Sequence, residues 1–146
     1  MVTFMHFNHN EAREIIMKHY MFPENKTLDF EEDNIITTYS QTCSDKLELS
    51  VKFENNILVQ AKFNGHGCSV FLASTDILLN VVKQKSKKEI QELISLYEKF
   101  LNNNNELSDE ELKAINDLWV FFNVKKHLSR MSCALLSSKT ILNEIK

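Results

Sequence analysis

Three cysteines and one nearby carboxylate are the residues of this chain best suited to chemistry: Cys43, Asp45, Cys68 and Cys133. Cys43 and Asp45 are separated only by Ser44, so a turn at that point lets both side chains reach one centre. Cys68 follows Gly65-His66-Gly67, which holds the only 2 glycines of the chain. Glycine permits positive φ and close backbone approach, and so lets a thiol face a site rather than solvent. Cys133 is expected in the first turn of a C-terminal helix, where the dipole and free N–H groups favour thiolate over thiol. Three thiolates and a carboxylate supply the four donors that a tetrahedral zinc ion takes. The same residues have a plainer reading, because free cysteine packs as a small hydrophobe. No C-x-x-C or H-E-x-x-H spacing is present. On spacing alone, core packing, metal ligation and thiol reactivity stay open.

The composition sets the frame for these residues. A chain of 146 residues that is 43% apolar and 25% charged is that of one globular domain. With 17 basic against 20 acidic residues the net charge is −3. No overall cationic surface for DNA or RNA is implied, and nucleic acid is not an expected partner. No apolar run approaches the roughly 18 residues that span a bilayer. Met1–Asn10 lacks the basic-then-apolar pattern of a signal peptide. The expectation is a cytoplasmic protein with no membrane segment, whose reduced thiols form no disulfide framework.

The elements that must position the cysteines follow from periodicity. Asn10 to Tyr20 reads as a helix, capped by Asn10 and stopped by Pro23. Asp29 to Asp33 reads as an acidic loop. Ile35 to Thr42, Leu47 to Glu54 and Ile57 to Phe63 read as strands of an antiparallel meander. Leu47, Leu49, Val51 and Phe53 share one face of the middle strand, and Asn55-Asn56 forms the tight turn after it. Val70 to Val82 is long and apolar enough for a buried helix, with Ser69, Ser74, Thr75 and Asp76 as its polar members. Lys83 to Lys88 is expected as a basic loop, and Glu89 to Leu101 as an amphipathic helix. Ser108 with Glu111 forms a capping box opening a helix toward Trp119, and Arg130 to Ile145 is the last helix. The fold class is α+β: a single domain over residues 1–146, with a three-stranded antiparallel sheet, an N-terminal helix and a C-terminal helical layer.

Other candidates carry less. His66 could serve as a metal ligand, but it sits at a strand end facing away from its neighbours' direction. His19 is expected as a hydrogen-bonded structural histidine and His127 as a surface residue. Met5, Met17 and Met21 are expected to pack, and Trp119, Phe121 and Phe122 to enter the core. Lys83, Lys85, Lys87 and Lys88 read as a solvated run. With Lys125, Lys126 and Arg130, they could instead dock an acidic partner.

Four segments then carry a family resemblance. Gly65-His66-Gly67-Cys68-Ser69-Val70-Phe71-Leu72-Ala73-Ser74-Thr75 resembles the GxGCSIxxAS segment of iron–sulfur cluster assembly proteins, the IscU/SufU/NifU N-terminal family. Ile15 to Tyr20 with Pro23, Asn25 and Lys26 is similar to that family's opening stretch, and Cys43-Ser44-Asp45 to its CGD turn. Val124 to Leu136, containing Arg130, Cys133, Ala134 and Leu135, resembles its PxRxxCAxL segment. Ser44, Ser129 and Thr27 depart from the family's glycine, proline and glycine, and none of them removes a proposed ligand. Ser132 stands where the scaffold type has a histidine, and residues 84–108 look like the helical insertion of the SufU type.

The resemblance implies a SufE/NifU-like fold. It implies a zinc-dependent sulfurtransferase that accepts persulfide sulfur from a cysteine desulfurase of the SufS/NifS type. The sulfur would pass to a downstream iron–sulfur assembly scaffold or apo-protein. The implied zinc ligands are Cys43, Asp45, Cys68 and Cys133, with Cys43 as the persulfide-accepting nucleophile and Arg130 as a desulfurase contact. The alternative implied by the same family is a scaffold on which an iron–sulfur cluster, [2Fe–2S], is assembled and then transferred.

Overall fold

Alternation of apolar and polar residues builds the sheet. In the computed structural model, which describes residues 7–30, 34–40, 44–103 and 107–145, β1 (Ile36–Tyr39), β2 (Lys46–Glu54) and β3 (Ile57–His66) pair antiparallel in that order. Asn55 and Asn56 make the β2–β3 turn with φ of 53° and 65°. This is the left-handed geometry whose twist matches a hairpin, and asparagine tolerates it. Leu47 and Leu49 are fully buried as expected, but Val51 and Phe53 are only half-buried. A register shift between Lys52 and Phe53 displaces Phe53 from the row begun by the leucines, whereas Val51 still pairs in register with Ala61.

The outer edge of β3 is covered by irregular chain. Phe63 exchanges backbone hydrogen bonds with Asn25 and Thr27 at 3.0 and 2.8 Å. Leu58 accepts from Gln84 at 2.7 Å and donates to Lys85 at 3.0 Å. An edge occupied in this way offers little to a foreign strand.

The N-terminal helix α1 (His9–Met21) starts earlier than expected, because the Asn8 side chain, not that of Asn10, accepts the Glu11 N–H at 3.0 Å. Ala12 and His19 are its buried residues. Met17 and Met21 do not pack as expected: they are 39% and 59% exposed, on the side of α1 away from those two. Met5 and residues 31–33 of the expected acidic loop lie outside the described residues.

Helix α2 (Ser69–Val82) is buried on nearly every side, because α1 and α5 (Leu128–Ile145) pack against it and β3 lies beside it. Helix α3 (Lys87–Asn102) takes in residues expected as loop. Ser86 caps it, accepting the Glu89 N–H at 3.1 Å while the Glu89 carboxylate accepts the Ser86 N–H at 2.9 Å. The Ser108–Glu111 box opens α4 (Asp109–Ala114) as expected. That helix stops short of Trp119, and a 3₁₀ helix (Asn116–Phe121) begins at Asn116, whose φ is 50°. Trp119 and Phe121 are buried in the core. No described helix is long and apolar enough to cross a membrane.

Candidate metal centre

The sheet register brings Asp45 to Cys68. Lys46 lies opposite His66 and Leu47 opposite Gly65, so the chain just before β2 meets the chain just after β3. A Cβ at Gly67 would overlap both the Asp45 carboxylate and the Phe71 ring, and one at Gly65 would overlap the Lys46 carbonyl. These two positions therefore require glycine for space, which explains where the chain's two glycines are placed. Asp45 is buried, and its Oδ1 accepts the Cys68 N–H at 3.1 Å.

Cys68 is the N-cap of α2, and its Sγ accepts the Phe71 N–H at 3.4 Å. The helix-end placement expected for Cys133 thus belongs to Cys68. Cys133 lies in the second turn of α5, since that helix begins at Leu128, and packing of α5 on α2 carries the thiol inward. Cys68 is exposed and Cys133 buried.

One ligand atom from each of Asp45, Cys68 and Cys133 lies within 4.8 Å of the others. Cys43, the fourth expected ligand, lies outside the described residues. Asp45 Oδ2 is buried and has no hydrogen-bond partner among the described residues. A buried carboxylate oxygen without a donor is costly, and a cation removes that cost. Two sulfurs and a carboxylate oxygen are donors that zinc accepts. These residues therefore fit a thiophilic divalent cation.

The remaining expected residues divide plainly. His66 and His127 are exposed, and His66 is not part of the cluster. Arg130 is exposed one helical turn before Cys133. The lysine run is not a uniform solvated loop. Lys83 Nζ bonds the Asn25 side-chain oxygen, and Lys87 Nζ lies 5.2 Å from the centre of the Phe53 ring.

A second cluster surrounds the fully buried Asp76 of α2. Its Oδ2 meets His19 Nδ1 at 2.6 Å and the Glu24 N–H at 3.1 Å. Its Oδ1 accepts the Asn25 N–H at 2.8 Å and the Asn25 side-chain amide at 3.0 Å. His19 is the structural histidine expected, but periodicity identified neither Asp76 nor Asn25 as its companions. The available signal is a lone carboxylate inside the apolar run Val70–Val82, since a carboxylate buried there needs partners.

Residues 11–117 match the family model described as the NifU-like N terminal domain, a span that takes in Asp45 and Cys68 and stops before Cys133. The zinc-dependent sulfurtransferase SufU of Bacillus subtilis (strain 168) is 29% identical over 129 residues, covering 88% of this chain and 85% of the relative. The iron–sulfur cluster assembly scaffold protein IscU of Thermotoga maritima is 29% identical over 105 residues, covering 72% of this chain and 71% of that protein. Among solved structures, a protein from Fervidobacterium islandicum AW-1, described as an iron–sulfur cluster assembly scaffold for the SUF system, superposes with a TM-score of 0.77. It is 25% identical, and the match covers 91% of this chain and 95% of that one.

Proposed function

This chain belongs to the NifU-like N-terminal domain family of iron–sulfur cluster assembly proteins, and on that premise we propose that it is a zinc-dependent sulfurtransferase, taking persulfide sulfur from a cysteine desulfurase. The observation that carries the metal is the convergence of Asp45, Cys68 and Cys133 within 4.8 Å around a carboxylate oxygen that has no partner among the described residues. Cys43, Asp45, Cys68 and Cys133 would hold the ion, which when bound keeps thiolates deprotonated at neutral pH.

Cys43 is the sulfur acceptor in this reading. Its thiolate attacks the sulfane sulfur of the donor persulfide; a new S–S bond forms to Cys43 and the donor's S–S bond breaks. The donor leaves as a thiolate and Cys43 carries the persulfide. Cys68, held by the Phe71 N–H, and Cys133, buried by α5, are the retained ligands. Asp45 is the hard oxygen donor in a thiolate-rich set and makes the site labile. Arg130, exposed beside the site, contacts the desulfurase.

A second reading is the scaffold, in which a [2Fe–2S] cluster is the cargo of the same cysteines. The named function of the Thermotoga relative supports it, and thiolates suit both metals. Ser132 before Cys133, the interposed helix α3 and the 88% coverage against the Bacillus protein favour sulfur transfer.

Native mass spectrometry with elemental analysis on anaerobically purified protein is the first test, followed by incubation with a cysteine desulfurase and cysteine. The expected outcome is one zinc per chain and a persulfide on Cys43, absent in Cys43→Ser. A transferable iron–sulfur cluster without any persulfide would replace this reading by the scaffold. A protein that binds neither metal would remove both.

A further inference from the structure

The helical spacing of α1 puts Arg13, Ile16 and Met17 along one wall of a groove of about 410 Å³. Val70 of α2, Phe122 and Arg130 line the rest. The floor is apolar: Val70 is buried, and Ile16 and Phe122 are half-buried and packed against the core. Phe122 is braced edge-on by the His9 ring at 4.9 Å, and Met17 is 39% exposed at the lip. The rim is cationic. Arg13 and Arg130 are both exposed, neither pairs with a carboxylate among the described residues, and no acidic side chain lines the groove.

The groove adjoins the metal centre on two elements at once. Val70 lies in the first turn of α2, two residues after Cys68, and Arg130 lies one turn before Cys133 on α5. We propose that this groove docks a carboxylate-bearing segment of the sulfur-donor protein, with its acidic groups on Arg13 and Arg130 and one apolar side chain on the Ile16–Val70–Phe122 floor beneath Met17. The identity of the occupant as sulfur donor rests on the sulfurtransferase reading; the charge and shape of the segment rest on the groove.

Charge complementarity selects this occupant. The chain is net acidic at −3, so a local pair of guanidiniums with no carboxylate partner among the described residues is the place where an acidic surface gains by approaching. A guanidinium takes a carboxylate through two parallel hydrogen bonds and thereby fixes orientation as well as encounter. The apolar floor supplies contact that slows release. The docking role raised for the lysine run thus shifts to α1: Lys83 and Lys87 are engaged within the fold, whereas Arg13 is not.

The test is calorimetric titration of the zinc-loaded full chain with the cysteine desulfurase of the same organism, at low and physiological salt. Arg13→Glu is expected to weaken binding about 10-fold and to flatten its salt dependence. Met17→Ser should weaken it by less, and Lys62→Glu, lining a different groove, should leave it within about twofold. Thermal melts of each variant and the milder Arg13→Gln guard against misfolding. Unchanged binding by Arg13→Glu, an equal loss with Lys62→Glu, or no binding by the wild type would each overturn the proposal. Persulfide on Cys43 is scored separately. Binding that depends on Arg13 without any sulfur uptake keeps the groove and overturns the sulfurtransferase reading.

Discussion

Two groups of ligand-type side chains flank α2, one at its N-terminal end and the other about two turns along, and both meet the distance requirement for a metal. In Asp45–Cys68–Cys133 and in His19–Glu24–Asp76 alike, the ligand atoms lie within 4.8 Å of one another. What separates them is unspent acceptor capacity. Every Asp76 oxygen already receives N–H donors from His19, Glu24 or Asn25. Among the described residues Asp45 spends only Oδ1, on the Cys68 N–H, and leaves Oδ2 buried without a partner. The Asp76 arrangement ties α1 and the segment after it to α2; the Asp45 arrangement keeps an acceptor for a cation. Proximity of ligand types is therefore a poor criterion for a metal site, and unsatisfied polarity is a better one.

Substitution at Asp76 should break the comparison most visibly. Asp76→Ala strands three buried donors and one part-buried one, and a loss of about 3–5 kcal/mol is expected in urea denaturation. The folded fraction should keep its metal. A loss below about 1 kcal/mol, or metal lost from folded protein, would mean that the two clusters do not differ as described.

Asp45→Ala should do the reverse. Removing this carboxylate strands the Cys68 N–H but also removes the unspent Oδ2, so the metal-free protein should lose less stability than Asp76→Ala does. Zinc affinity should fall by more than the roughly 10–100-fold that an outer-shell change costs. Competition with a chromogenic chelator measures the affinity, and urea denaturation in chelator measures the apo stability. Gly67→Ala tests the approach that builds this centre. The added methyl presses on Asp45 and Phe71, so about 1–3 kcal/mol of stability and part of the metal should be lost together.

The smallest expected effect lies at the α3 cap, which shares no hydrogen bond with either cluster among the described residues. The Ser86 backbone N–H, then its hydroxyl, hold the Glu89 carboxyl below its usual range. A carboxylate depressed in the folded state adds stability above its unfolded value and loses it as pH falls through its folded value. Ser86→Ala should cost about 1 kcal/mol at neutral pH, and the gap from wild type should narrow in acid. A gap independent of pH in thermal melts would show that the Ser86 hydroxyl adds nothing to holding the Glu89 carboxyl down, the backbone N–H being kept in the variant.

Much of this architecture was legible because its signals are local. The Asn55-Asn56 turn, the Ser108–Glu111 box, the alternation around Leu47 and Leu49 and the apolar run from Val70 each follow from a few neighbouring residues. The failures have local competitors. Asn8 displaced Asn10 as the α1 cap, and Ser86 with Glu89 drew Lys87 and Lys88 into α3. Met17 and Met21 were misread as packing residues because hydrophobicity does not say which face of α1 meets the core. Starting α5 at Leu128 moved Cys133 out of the first turn and left the helix-end position to Cys68.

The sequence by itself determined which residues could form a metal centre and marked the approach with two glycines. Cysteine and carboxylate chemistry is a property of residue type, and at Gly65 and Gly67, just before Cys68, a Cβ has no space. Only the tertiary structure decided that Asp45 keeps a bare oxygen while Asp76 keeps none, and that Arg13 shares a groove with Arg130. Those outcomes depend on strand register and on helix packing between residues distant in the chain, where the number of donors reaching each carboxylate is set.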